Sequence, residues 1–134
     1  MKKLLLAAII SLSTISTAAL AEIKVGIILG FTGPIETLTP AMRDSAKLAF
    51  KEVSDSGALL GGETITPLIA DSTCVDSDAA VAAAELLVSD GVVAIMGADC
   101  SGVTGAIVTN VAVPNGVTMV SPSATSPGLT SLAD

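Results

Sequence analysis

The 134-residue chain has no histidine, tryptophan or tyrosine, and its only aromatics are Phe31 and Phe50. Without histidine there is no imidazole metal site and no Ser-His or Cys-His nucleophile pair within the chain. Two phenylalanines cannot build a stacking platform for bases or sugars. Basic residues are scarce as well: 6 Lys and Arg stand against 13 Asp and Glu, a formal charge of −7. Such a surface repels nucleic acid and anionic lipid, so neither is expected as a partner. The nucleotide and hydrolase signatures are also missing. Gly26, Gly30 and Gly33 do not spell G-x-G-x-x-G, and neither G-x-x-x-x-G-K-[ST] nor G-x-S-x-G occurs. Asp71, Asp76 and Asp78 are not followed by the glycine and bidentate glutamate of a calcium loop, and capping explains them better. No catalytic apparatus, metal site or cofactor is expected.

The first residues read as a secretory signal peptide. Lys2 and Lys3 precede the apolar run Leu4 to Ile10, and Ala19-Leu20-Ala21 closes the segment. The apolar core is short for a bilayer crossing and is interrupted by Ser11, Ser13, Thr14, Ser16 and Thr17, so a retained membrane anchor is the lesser alternative. No cysteine lies near the cleavage point to carry a lipid. A mature chain starting at Glu22 and located in the periplasm is expected, with one domain or a piece of a larger one over residues 22–134.

Hydrophobic periodicity lays out alternating strands and helices. Ile23 to Leu29 is a β-branched run ending at Gly30, as in a strand buried on both faces. Thr39 is expected to cap a helix with Pro40 in its first turn. Met42, Ala46, Ala49, Phe50 and Val53 recur at helical spacing before Gly57. Thr64 to Ala70 forms a second strand, where Pro67 indicates an edge position. Asp76, Ser77 and Asp78 open a second helix that runs to Ser89 and stops at Gly91. Val92 to Met96 is a third strand. A helix with the stripe Val103, Ala106, Ile107 and Val111 begins near Ser101, Asn115-Gly116 turns the chain, and Val117 to Val120 is a fourth strand. This alternation predicts an α/β fold with a doubly wound parallel sheet.

In such a sheet the Gly/Ser/Thr-rich turns Gly30 to Pro34, Gly97 to Gly102 and Ser121 to Pro127 gather at the carboxyl edge, where open α/β folds bind ligands. Cys74 and Cys100 each lie three residues past a strand, so a 2-1-3 strand order hangs both over that edge. A disulfide is then geometrically reasonable in an exported protein; the alternative is two unpaired small apolar residues. Ser101 stands where the third strand hands over to its helix and could face an anion or serve only as an N-cap. Thr125 follows in the loop after the fourth strand, beside Ser101 in the same strand order. Its alternative is a solvated Ser/Thr/Pro loop.

These segments together resemble the start of the periplasmic leucine/isoleucine/valine-binding protein family, the type I solute-binding receptors of ABC importers. The resemblance rests on Ile23-Lys24-Val25-Gly26 through Thr32-Gly33-Pro34, on Asp71 to Gly91, on Gly97 to Ser101, and on the loop Ser121-Pro122-Ser123-Ala124-Thr125-Ser126-Pro127. It implies a disulfide between Cys74 and Cys100, ligand-carboxylate contacts at Ser101 and Thr125, and a ligand ammonium near the Ser123 carbonyl and the Thr125 hydroxyl. Ligand-binding positions then fall on Ser101, Ser123, Ala124, Thr125 and, toward the ligand side chain, Leu38, where branched-chain binders place a tyrosine. It further implies that residues 22–134 are the amino-terminal part of a first ligand-binding lobe, a partial lobe of a type I periplasmic binding protein. The expected function is capture of an amino acid of branched-chain type, or a similar small polar solute, for delivery to an ABC permease. The same fold used as a sensory or regulatory ligand domain is the alternative.

Overall fold

A computed structural model describes residues 22–132. The expected signal peptide, Met1 to Ala21, lies outside them. Four parallel strands form one sheet: β1 (Glu22–Leu29), β2 (Thr64–Asp71), β3 (Ala94–Gly97) and β4 (Thr118–Val120), in the order β2-β1-β3-β4. The register pairs Gly26 with Leu68 and with Ile95, and Ile95 with Met119. Pro67 sits in edge strand β2, which pairs only with β1, as its missing N–H requires.

Right-handed crossovers decide which helix covers which face. The connection from β1 to β2 steps one way across the sheet and carries α1 (Thr39–Asp55). The connections from β2 to β3 and from β3 to β4 step the other way and carry α2 (Ser77–Ser89) and α3 (Ser101–Ile107). Helix α3 continues through a π-helical turn (Val108–Ala112) into α4 (Val113–Asn115), and a 3-10 turn (Pro127–Ser131) follows β4.

The core lies on the α2/α3 face, where Ile28, Ala80, Ala84, Leu87, Val92, Ile95, Ala98, Val103, Ile107 and Val111 form one buried cluster. Each large aliphatic side chain buried there contributes about 1.5–3 kcal/mol. The α1 face is thinner. Ile27 and Leu29 are fully buried, yet Ile69 and Val120 on the same face stay exposed. The expected apolar stripe of α1 is only partly used: Met42, Ala46 and Phe50 are half-buried, while Ala49 and Val53 face solvent.

Helix α2 starts as expected, the Asp76 carboxylate accepting the Ala79 amide at 3.0 Å. Thr39 departs from expectation. It lies inside α1 with Leu38 at the N-cap, and it is fully buried, its hydroxyl donating to the carbonyls of Gly30 (3.1 Å) and Glu36 (3.4 Å). Its side chain fastens the helix to the end of β1 instead of capping the first turn.

Candidate functional site

Loops after all four strands meet at the carboxyl edge. Two carboxylates organise its β1 and β2 end. The Gly30 amide donates to Asp99 Oδ2 (2.9 Å), and the Phe31 and Thr32 amides donate to Asp71 Oδ1 (2.9 and 3.3 Å). Asp71 also accepts the Thr73 amide (2.8 Å) and, on Oδ2, the Thr32 hydroxyl (2.7 Å). Capping does not describe Asp71: it closes the β1–α1 loop onto the β2–α2 loop. Burial pushes its carboxyl up, but the hydrogen bonds from the Thr32 hydroxyl and the amides of Thr73, Thr32 and Phe31 outweigh that and hold it below its ordinary value. Gly33 is required here, since its φ is +93° and a Cβ would lie 2.5 Å from the Thr73 carbonyl oxygen. Three successive amides of this loop are therefore occupied by acceptors of the same chain.

The next loop is joined covalently to the third. Cys74 and Cys100 form a disulfide with Cα atoms 5.2 Å apart. Thr73 and Cys74 both hold positive φ, at 56° and 71°, a conformation sustained by the Asp71 hydrogen bond on one side and the disulfide on the other.

Hydroxyls organise the β3 and β4 end. Ser101 Oγ accepts the amides of Thr125 and Ser126, each at 3.1 Å. The Ser123 hydroxyl donates to the Asp99 carbonyl (2.9 Å). Ser121 donates to the Ala98 carbonyl and accepts the Ala124 amide (2.9 Å). The structure thus brings Ser101, Ser123, Ala124 and Thr125 together, and it shows what each has left to offer. A hydroxyl that accepts two amides keeps its own O–H to donate, so Ser101 remains a donor. Among the described residues the Thr125 hydroxyl has no partner, and the amides of Ser101 and Gly102, the first of α3, donate to no protein acceptor. The Ser123 carbonyl accepts no hydrogen bond from the described residues, whereas the Ala124 amide is already committed to Ser121. Leu38 stands at the N-cap of α1 on the same edge, 62% exposed, with no polar link to this cluster.

Chemically this is a shelf of neutral donors with the Ser123 carbonyl, unpartnered among the described residues, beside them, suited to a small carboxylate that also bears an ammonium. It is open to solvent. Two grooves, of about 510 Å³ beside α1 and β2 and about 410 Å³ beside β4, lie elsewhere and include neither Ser101 nor Thr125. Sequence reasoning missed Asp99, which is 4% exposed and hydrogen-bonded on both carboxylate oxygens. An acidic residue directly after the buried strand end Gly97-Ala98 was the available signal.

Known proteins share this sequence pattern and fold. The model of a family described as periplasmic binding protein matches residues 22–132. The chain is 33% identical over 128 residues to the Leu/Ile/Val-binding protein BraC3 of Rhizobium johnstonii, covering 96% of this chain and 34% of that protein. It is 34% identical over 109 residues to a leucine-, isoleucine-, valine-, threonine- and alanine-binding protein of Pseudomonas aeruginosa, covering 81% and 28%. Among solved structures it is similar to the branched-chain amino acid transporter substrate binding protein LivJ from Streptococcus pneumoniae in complex with isoleucine. That similarity has a TM-score of 0.73 and 32% identity, covering 82% of this chain and 31% of the other. The leucine binding protein LivK from Thermotoga maritima gives a TM-score of 0.70 at 28% identity, covering 81% and 30%. The chain spans about a third of the length of the relatives it matches.

Proposed function

Since the chain belongs to the periplasmic binding protein family, we propose that it captures an amino acid of branched-chain type, or a similar small polar solute, and presents it to the permease of an ABC importer. The observation that carries this reading is the convergence of Ser101 and Thr125. Two loops joined by hydrogen bonds at 3.1 Å bring together the Ser101 and Thr125 hydroxyls and the first amides of α3, which have no acceptor among the described residues. The ligand carboxylate meets the Ser101 and Thr125 hydroxyls, and its ammonium meets the Ser123 carbonyl and Thr125 Oγ. Leu38 borders the ligand side chain, and Ala124 holds the turn between the polar contacts. Relatives named as binding proteins for leucine, isoleucine and valine support import over a sensory role, and support binding over catalysis.

In this reading Met1 to Ala21 directs export to the periplasm, and residues 22–134 supply the amino-terminal part of one lobe. The open shelf meets one end of the ligand. Tight capture then calls on a second surface that closes over it, excludes water and pairs the ammonium with an acid. Titration calorimetry of the exported protein against L-leucine, L-isoleucine, L-valine, L-threonine and L-alanine tests the proposal. Saturable binding that weakens in Thr125→Ala is expected. Heats indistinguishable from dilution across the whole panel, or binding unmoved by Thr125→Ala, would overturn it.

A further inference from the structure

Asp99 makes hydrogen bonds to the loops after the other three strands from the end of the remaining one. Oδ2 accepts the Gly30 amide after β1 (2.9 Å), and Oδ1 accepts the Ser72 hydroxyl after β2 (3.4 Å) and the Cys100 amide after β3 (3.0 Å). Its main-chain carbonyl accepts the Ser123 hydroxyl after β4 (2.9 Å). Asp99 and Ser72 are both buried, and the groups donating to this carboxylate include no Lys or Arg. A buried carboxylate held only by amides and a hydroxyl carries a desolvation cost that an apolar side chain of that size would avoid. An apolar side chain would also leave the buried Gly30 amide and the half-buried Cys100 amide without acceptors.

We propose that Asp99 is a positioning residue for the ligand-holding edge, a role that deepens the function proposed above and rests on it for its consequence in binding. Its side chain fixes where the third loop sits against the first two, and its carbonyl fixes the fourth loop against the third. The same two loops are also joined by the Ser121 hydroxyl on the Ala98 carbonyl and by Ser101 Oγ, which holds Thr125 and Ser126. Ser121 anchors the base of the fourth loop, and the attachments at Asp99 and Ser101 set how its outer part turns on the third loop. Loosening the Asp99 attachment leaves the segment beyond the Ser121 anchor held by Ser101 alone, so Thr125 can turn about that point. Asp99 does this without meeting the ligand.

Asp99→Asn keeps the volume but offers one acceptor oxygen, so the carboxamide N–H₂ faces an amide that needs an acceptor. Amide hydrogen exchange of the intact, ligand-free protein reads the result residue by residue. Exchange at Thr125 and Ser126 should quicken by roughly tenfold more than exchange in β1 and β3, whose protection reports global stability. Affinity for L-leucine should fall by roughly tenfold with it. Equal changes at Thr125, Ser126 and the strands would overturn the proposal. If Asp99→Asn does not fold, Ser123→Ala removes only the exposed hydroxyl on the Asp99 carbonyl. Selective loss of protection at Thr125 and Ser126 again supports the role, and unchanged protection overturns it. A wild-type protein that ignores L-leucine would refute the proposed function while the exchange pattern still decided whether Asp99 holds the loops. Wild-type binding matched by Asp99→Asn would refute positioning and leave the function standing.

Discussion

At the β1 and β2 end of the carboxyl edge the amides of Gly30, Phe31, Thr32 and Thr73 all donate to carboxylates of the same chain, whereas at the β3 and β4 end serine and threonine hydroxyls join the loops and leave donors over. Both ends are built from similar Gly, Ser and Thr residues after parallel strands. The difference lies in who supplies the acceptor. Asp71 fills the anion-accepting position of the first loop with its own charge, so a ligand carboxylate finds its donors occupied and meets a like charge there. Ser101 takes two amides through one neutral oxygen and still has a proton to give. Loop composition therefore nominates an edge, and the side-chain anions decide which part of it stays open.

The disulfide joins the two ends, so removing it should have the largest effect. The bridge closes a separation of 26 residues, for which the chain-entropy model gives about 3 kcal/mol. A Cys74→Ser, Cys100→Ser double variant should melt at a clearly lower urea concentration than the oxidised wild type. An unchanged midpoint would mean that the two ends hold together without it.

The next effect belongs to the open end. Ser101→Ala removes the acceptor of two amides and one candidate ligand donor, and calorimetry with L-leucine should show binding weaker by about 1–3 kcal/mol. Full affinity in this variant would remove the distinction between the ends.

Asp71→Asn tests the closed end and should do the reverse. It should lower stability by about 1–2 kcal/mol through the lost amide and hydroxyl pairings, with L-leucine affinity little changed. It should also alter acid sensitivity. The Asp71 carboxyl is held below its ordinary value in the folded state, so its contribution is complete above the unfolded-state pKa, near 4, and is lost as pH falls through the lowered folded value. Urea midpoints measured at neutral and acidic pH should therefore converge for wild type and variant as pH falls. A constant gap would show that the charge is not what closes this end.

Leu38→Ala should be the mildest change. The side chain is mostly exposed, so stability should move by less than about 0.5 kcal/mol. If Leu38 borders the ligand side chain, the preference for L-leucine over L-alanine should narrow. An unaltered preference would confine recognition to Ser101, Ser123 and Thr125.

The residues by themselves determined the four strands, the helix that Asp76 caps and the edge position of Pro67, whereas the meeting of Cys74 with Cys100 and of Ser101 with the Thr125 loop stood open in the residues, depended on a 2-1-3 strand order and was favoured by the family resemblance. The first three follow from short-range periodicity and cap chemistry, and the strand order β2-β1-β3-β4 then converts offsets along the chain into neighbours in space. Tertiary structure alone decided that Thr39 turns inward to the Gly30 carbonyl, that α1 covers its face thinly, that Asp71 clamps a loop and that Asp99 ties all four strand ends. The physical reason is common to these cases. A buried hydroxyl or carboxylate takes its place from whichever backbone group is left needing a partner, and for Asp99 that group is the Gly30 amide, 69 positions away, where no local pattern reaches.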